Sequence, residues 1–195
     1  MSLFRRVLNL DQPASPDLPV QPDAPLPTLT AESLEGETSS VRMIGAALSG
    51  LPPARARYVA AFAYLLGRAA YANMEVSEAE RREIAHIGEV AGLDAETAKL
   101  VMDMSTTLST EFGATEDFLV TREFKAISTM EERHRLLRAC FLVMAADDEI
   151  DANEAWLVNR VAEELDVERT DLNQIRAEFH ERLASVKAVR EVAQG

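Results

Sequence analysis

The chain has little cysteine, few basic residues and no long apolar run, and each shortage excludes a class of protein. Cys140 is the single cysteine among 195 residues, so no intrachain disulfide can form and a reducing compartment is indicated. With 20 Lys and Arg against 33 Asp and Glu, the net charge of −13 opposes binding to nucleic acid. Its longest apolar runs, at 59–66 and 139–146, fall far short of the ~20 residues that a membrane-spanning helix needs.

The N-terminus also has too short an apolar stretch for a signal peptide, because Asp11 and a proline tract follow where a cleavage site would lie. Export is therefore not expected. The sequence predicts a cytoplasmic protein, with attachment to the inner face of the membrane as an alternative.

Proline is absent after Pro53. Apolar residues in this proline-free part recur at the i, i+3, i+4 and i+7 spacing of helices, and β-branched runs are few. These patterns predict an all-α fold in the form of a compact helical bundle. The predicted helices are 39–49, 54–72, 78–91, 95–110, 115–126, 130–146, 152–164 and 170–192.

Local sequence marks several helix starts and core positions. Asp94 is a candidate N-cap, and Ser128 with Glu131 fits a capping box. Trp156 and Phe179 follow capping positions and are predicted to be buried. Cys140 lies within an apolar run and is predicted to be a buried small hydrophobe.

Residues 11–38 form a proline-rich linker, in which the prolines from Pro13 to Pro25 are three residues apart. This is the period of a polyproline II helix, so a semi-rigid spacer is predicted.

Residues 1–10 place Leu3, Phe4, Val7, Leu8 and Leu10 on one helical face and two arginines on the other. A helix this short is only marginally stable in water, so its apolar face needs a surface to pack on. Two alternatives remain open, docking on the protein's own core and weak peripheral contact with an anionic membrane.

An internal repeat appears when the sequence is shifted by about 74 residues, which superposes 72–80 on 146–154. Each copy has an apolar helix, a short acidic stretch and a second helix. The bundle is therefore predicted to consist of two pseudo-repeated helix-loop-helix halves. Such halves pack about a pseudo-twofold axis, which would bring the two acidic stretches together.

The second acidic stretch contains Asp147, Asp148, Glu149 and Asp151, with Glu154 one turn later. The first two carboxylates come at the C-terminal end of an apolar helix, where the helix dipole disfavours anions. A hard divalent cation would compensate them. The alternative is that Asp151 and Glu154 cap a helix while the other acids are solvated. An EF-hand is excluded, because Ala152 and Val158 stand where its Gly and Glu would be.

These two stretches resemble the acidic motifs of the TerB-like domain of bacterial tellurite-resistance proteins. The resemblance covers roughly residues 40–185, so residues 39–195 are predicted to form a TerB-like helical domain. It implies a divalent cation, Ca²⁺ or Mg²⁺, and the matching positions are Asp147, Asp151 and Glu154, with Glu75 and Glu80 from the first stretch. The family usually opens each motif with Asp-Gly, whereas this chain has Asn73-Met74 and Asp147-Asp148, which reduces the charge of the first stretch.

The predicted function is that of a non-enzymatic adaptor, a cation-binding acidic domain that recruits protein partners in a stress or tellurite-resistance response. The alternative is a metal-dependent, hydrolase-like enzyme that uses carboxylate ligands. No phosphate-binding loop, nucleophile elbow or Cys-His pairing in the sequence supports catalysis.

Overall fold

A computed structural model describes residues 7–8, 39–70, 87–88, 90–108, 114–144 and 152–179. The helices are α1 (Ser39–Ser49), α2 (Pro53–Ala70), α3 (Ala95–Leu108), α4 (Ala114–Ile127), α5 (Met130–Met144) and α6 (Ala152–Glu164). Residues 169–179 are also helical and are labelled α7. None of the described residues is in a strand, which confirms the all-α fold. No described helix is long and apolar enough to cross a membrane. The division into domains and the two pseudo-repeated halves stay predictions.

The start of α3 is capped as predicted. Asp94 Oδ1 accepts a hydrogen bond from the backbone N of Thr97 at 2.9 Å, and Oδ2 accepts one from the Thr97 hydroxyl at 2.7 Å. These bonds hold the pKa of Asp94 below its ordinary value. A local side chain thus satisfies an N–H group that the first helical turn leaves unpaired.

The capping box predicted at Ser128 and Glu131 is wrong by one residue. Thr129 N donates to Glu132 Oε2 at 2.8 Å, and Glu132 N donates to Thr129 Oγ1 at 3.3 Å, so these two residues form the box of α5. Ser128 and Thr129 are consecutive hydroxyl residues, and Glu131 and Glu132 each come three positions after one of them. The capping-box pattern therefore fits either pair. The extent of the preceding helix selects the second, because Ser128 N still donates to Phe124 O at the end of α4.

Helix α2 is the centre of the fold. Its residues 56–66 are all buried, and it packs against α1, α3, α4, α5 and α6. A helix covered on every side needs small or apolar residues around its whole circumference. At Gly67, α3 comes so close that a Cβ atom would lie 3.0 Å from the carbonyl oxygen of Ser105.

Aromatic side chains fill the core around α2. The ring of Phe124 lies 5.6 Å from that of Tyr58 and 6.2 Å from that of Phe62, centroid to centroid. On the far side of α5, Phe141 stacks on Phe179 at 5.7 Å. Such pairs add to the free energy of apolar burial.

Three predictions about buried side chains can be checked. Cys140 and Phe179 are buried, as predicted. Trp156 is 59% exposed, so the prediction that it belongs to the core is wrong. The buried face of α6 contains Val158 and Val161, and at 100° per residue Trp156 lies nearly opposite Val158.

Two residues of the N-terminal segment are described, and both are in the core. Val7 is 0% exposed and Leu8 is 1% exposed. These two side chains therefore contact the protein's own core, which is one of the two surfaces predicted for residues 1–10.

Candidate functional site

The residues predicted to hold a cation lie almost entirely outside the described residues. This applies to Asp147, Asp151, Glu75 and Glu80, and Glu154 lies in α6 without a described side chain. Within the ranges that the structure describes, no three His, Cys, Asp or Glu side chains are grouped to hold a metal ion. In the sequence, the two acidic stretches come shortly after α2, which ends at Ala70, and α5, which ends at Met144.

The N-terminal ends of α2 and α5 lie side by side. Tyr58 lies in the first turns of α2. It is close enough to Glu132 and Arg135 of α5 for their charges to act on its hydroxyl group. Burial raises the pKa of Tyr58 to about 12; the Glu132 carboxylate adds to the rise, and the arginines oppose it.

The C-terminal halves of the same two helices are also close. Burial raises the pKa of the Cys140 thiol to about 12, and the neighbouring Arg68 guanidinium opposes this rise. Helices α2 and α5 pack together. The start of α2 lies near the start of α5, and their C-terminal halves also lie near each other, so the two helices run in the same direction. The helix ends that precede the two acidic stretches in the sequence therefore lie at the same end of the bundle.

A polar cluster lies at that end of α2, formed by Tyr64, Arg68, Asp117 and Glu164. The Tyr64 hydroxyl donates to Asp117 Oδ1 at 2.5 Å. Arg68 Nε lies 3.3 Å from Asp117 Oδ2, and Arg68 Nη1 donates to Glu164 Oε2 at 3.1 Å. The Arg68 side chain is only 11% exposed. One guanidinium thus joins α2 to the start of α4 and the end of α6.

The charge of Glu164 is stabilised by its partners. Burial alone would raise its pKa, but hydrogen bonds from Arg160 and Arg68 outweigh burial, and the neighbouring Thr121 hydroxyl acts in the same direction. The net effect holds the pKa of Glu164 below its ordinary value of 4.5. The carboxylate is therefore ionised at neutral pH and pairs with both arginines.

The lowered pKa predicts a pH dependence. A group whose pKa falls on folding stabilises the protein above its unfolded pKa, and the stabilisation is lost as the pH falls through the folded pKa. We expect Glu164→Gln to lower the free energy of unfolding at about pH 7 and to make little difference at about pH 3. Urea unfolding of both proteins at both pH values measures this. An equal difference at the two pH values would contradict it.

The cluster has a structural consequence for the end of α2. Arg68 is in the last turn of α2, two residues before its end, where a cation is favourable to the helix dipole. Its bonds to Asp117 of α4 and Glu164 of α6 hold this helix end against its neighbours. The thiol of Cys140, whose pKa is raised by burial, stays protonated at neutral pH.

Sequence reasoning did not identify this cluster. Arg68 and Glu164 are 96 residues apart, and neither belongs to a motif. The one feature of the sequence that could have indicated the cluster was Arg68. This charged residue comes two positions after the apolar run that ends at Leu66.

Comparison with known families gives one finding. The model of the family described as tellurite resistance protein TerB matches residues 59–177. The matched part runs from α2 to α7 and includes both acidic stretches and the polar cluster. Neither the comparison with curated proteins nor that with solved structures gave a match.

Proposed function

The chain belongs to the TerB family, and we propose that it is a non-enzymatic adaptor domain whose acidic stretches bind a divalent cation. Family membership makes it a domain related to tellurite resistance. The observation that supports the cation is the common direction of α2 and α5, since the helix ends that precede the two acidic stretches in the sequence lie at one end of the bundle.

The chemistry of the two stretches favours a hard cation. Carboxylate oxygens are the preferred ligands of Ca²⁺ and Mg²⁺. We place Asp147, Asp151 and Glu154 as the leading ligands, with Glu75 and Glu80 as contributors from the first stretch. In the sequence, Asp147 comes three residues after Met144, the end of α5, and a bound cation there would offset the repulsion between the helix dipole and the carboxylates.

Calorimetric titration and thermal unfolding of the metal-free protein test this proposal. We expect heat of binding, and a rise in melting temperature that corresponds to about 2.7 kcal/mol when the ion is at 100 times its Kd. The variant with Asp147→Asn and Asp151→Asn should lose both signals.

A control variant separates a site from general charge. Asp103→Asn with Glu131→Gln removes two exposed carboxylates outside the acidic stretches, so the change in net charge is the same. This control should bind the ion as the wild type does. Absence of heat and of any melting shift at millimolar ion would leave Asp151 and Glu154 as helix caps and the other acids as solvated residues.

The adaptor role implies protein partners, which we place in the cytoplasm. A pull-down from the protein's own cells, with the wild type and the Asp147→Asn, Asp151→Asn variant in parallel, would identify partners that depend on the cation. For residues 1–10, the burial of Val7 and Leu8 supports docking on the core. Contact with a membrane would require these two side chains to leave it.

A further inference from the structure

A groove between α6 and α7 has an unusual combination of residues for this acidic protein. Its buried apolar side chains are Ala162, Val167 and Leu172. Three arginines and the exposed Trp156 line it, with Glu163 as its one acidic lining residue. The chain as a whole has 33 acidic and 20 basic residues, so this surface is opposite in charge to the average.

Two of the three arginines are not neutralised. Arg160 Nε lies 3.0 Å from Glu164 Oε1 and is paired. Arg169 is exposed, and the part of the chain that the structure describes offers neither it nor Arg176 a carboxylate partner. With Arg160 paired to Glu164, and with Glu163 counted against the other two arginines, the lining keeps an excess of one positive charge.

The guanidinium of Arg176 is oriented without being neutralised. Its Nη2 donates to Asn159 Oδ1 at 2.7 Å, and its Nη1 donates to Asn173 Oδ1 at 3.1 Å. Its central carbon also lies 5.9 Å from the centre of the Phe141 ring. Amide oxygens hold the group in one position but leave its charge and its other N–H donors for a ligand.

Trp156 gives the groove an apolar contact surface. Its side chain is 59% exposed, and the guanidinium carbon of Arg160 lies 5.4 Å from its ring centre. This contact restrains both side chains before any ligand arrives. Trp and Arg are the residues most enriched among the strongest contributors to protein–protein binding.

We propose that this groove binds an extended acidic segment of a partner protein. Carboxylates of the segment would pair with Arg169 and Arg176, and an apolar side chain would pack on Trp156. Electrostatics favours a short acidic segment over a long polyanion as the ligand. The net charge of −13 on the protein repels a long polyanion. A short segment places its negative charges within a screening length of the arginines. The segment is the kind of partner that the adaptor role requires, but its binding does not depend on the proposed cation.

Fluorescence anisotropy with a labelled peptide of alternating Glu and Leu tests the proposal on the full chain, in buffer containing EDTA. We expect binding that weakens as salt is raised. Arg169→Gln with Arg176→Gln should weaken it by about 10-fold or more, and Trp156→Ala by a similar factor. The neutral peptide of alternating Gln and Leu should not bind.

A matched control variant is Lys99→Gln with Arg122→Gln, which removes two exposed cations on α3 and α4. It should bind the acidic peptide as the wild type does, and circular dichroism should show equal helix content in all variants. Equal weakening in the control, or no binding by the wild type, would overturn the proposal. So would self-association of the wild type that the peptide reverses, because the occupant would then be a second copy.

Discussion

Replacing Leu8 by Ala is expected to lower the free energy of unfolding by about 2–5 kcal/mol, the range for a fully buried leucine. Leu8 is 1% exposed, and Val7 beside it is 0% exposed, so both are part of the hydrophobic core. Truncation removes apolar contacts and leaves a cavity that the helices fill only in part. Urea unfolding followed by circular dichroism measures the change.

The control for this variant is Met43→Ala on α1, because the Met43 side chain is 67% exposed. We expect that change to stay within about 0.5 kcal/mol. Sedimentation with anionic liposomes completes the test. If Leu8→Ala left stability unchanged but abolished sedimentation of the full chain with liposomes, residues 1–10 would be a membrane anchor and not part of the core.

Replacing Arg68 by Ala is expected to destabilise the protein by about 2–4 kcal/mol, slightly less than the loss of one partner from a fully buried ion pair. The change would leave Asp117 and Glu164 without the guanidinium that they share, while their side chains are only 28% and 22% exposed. Most of this loss of stability comes from leaving two carboxylates in a partly desolvated site without a cation.

An exposed ion pair provides the comparison. Lys99→Ala breaks the pair with Asp103, whose side chains are 79% and 56% exposed, and should cost no more than about 0.5 kcal/mol. A double-mutant cycle of Arg68→Ala and Glu164→Gln should show a coupling energy of about 1 kcal/mol or more. A cost for Arg68→Ala as small as that for Lys99→Ala would mean that the cluster is an ordinary surface network.

Helix positions followed from local patterns, whereas their exact ends did so for only some of the helices. The predicted helices at 39–49 and 152–164 have the bounds of α1 and α6. Apolar spacing and capping residues act within one or two turns, so they can be read along the chain. The box at Thr129 and Glu132 shows the limit, because two registers satisfy the same local rule and the point at which α4 ends selects one.

The predicted cation site follows a different logic. Its residues were found from a repeat and from a family resemblance, and the family is confirmed over residues 59–177. Apart from Glu154, which lies in α6, the proposed ligands are outside the residues that the structure describes, so the geometry of the site stays a prediction. The tertiary structure contributes the common direction of α2 and α5, which composition and spacing alone do not determine.

The helical class and the burial of Cys140 could be predicted from the amino-acid pattern alone, because periodicity and residue type are local properties. Only the tertiary structure decided which side chains meet. It placed Arg68 against Glu164, 96 residues away, and turned Trp156 outward beside Arg160. The physical reason is that a contact between helices depends on their rotation and direction in the packed bundle, and these are set by the whole core and not by any one segment.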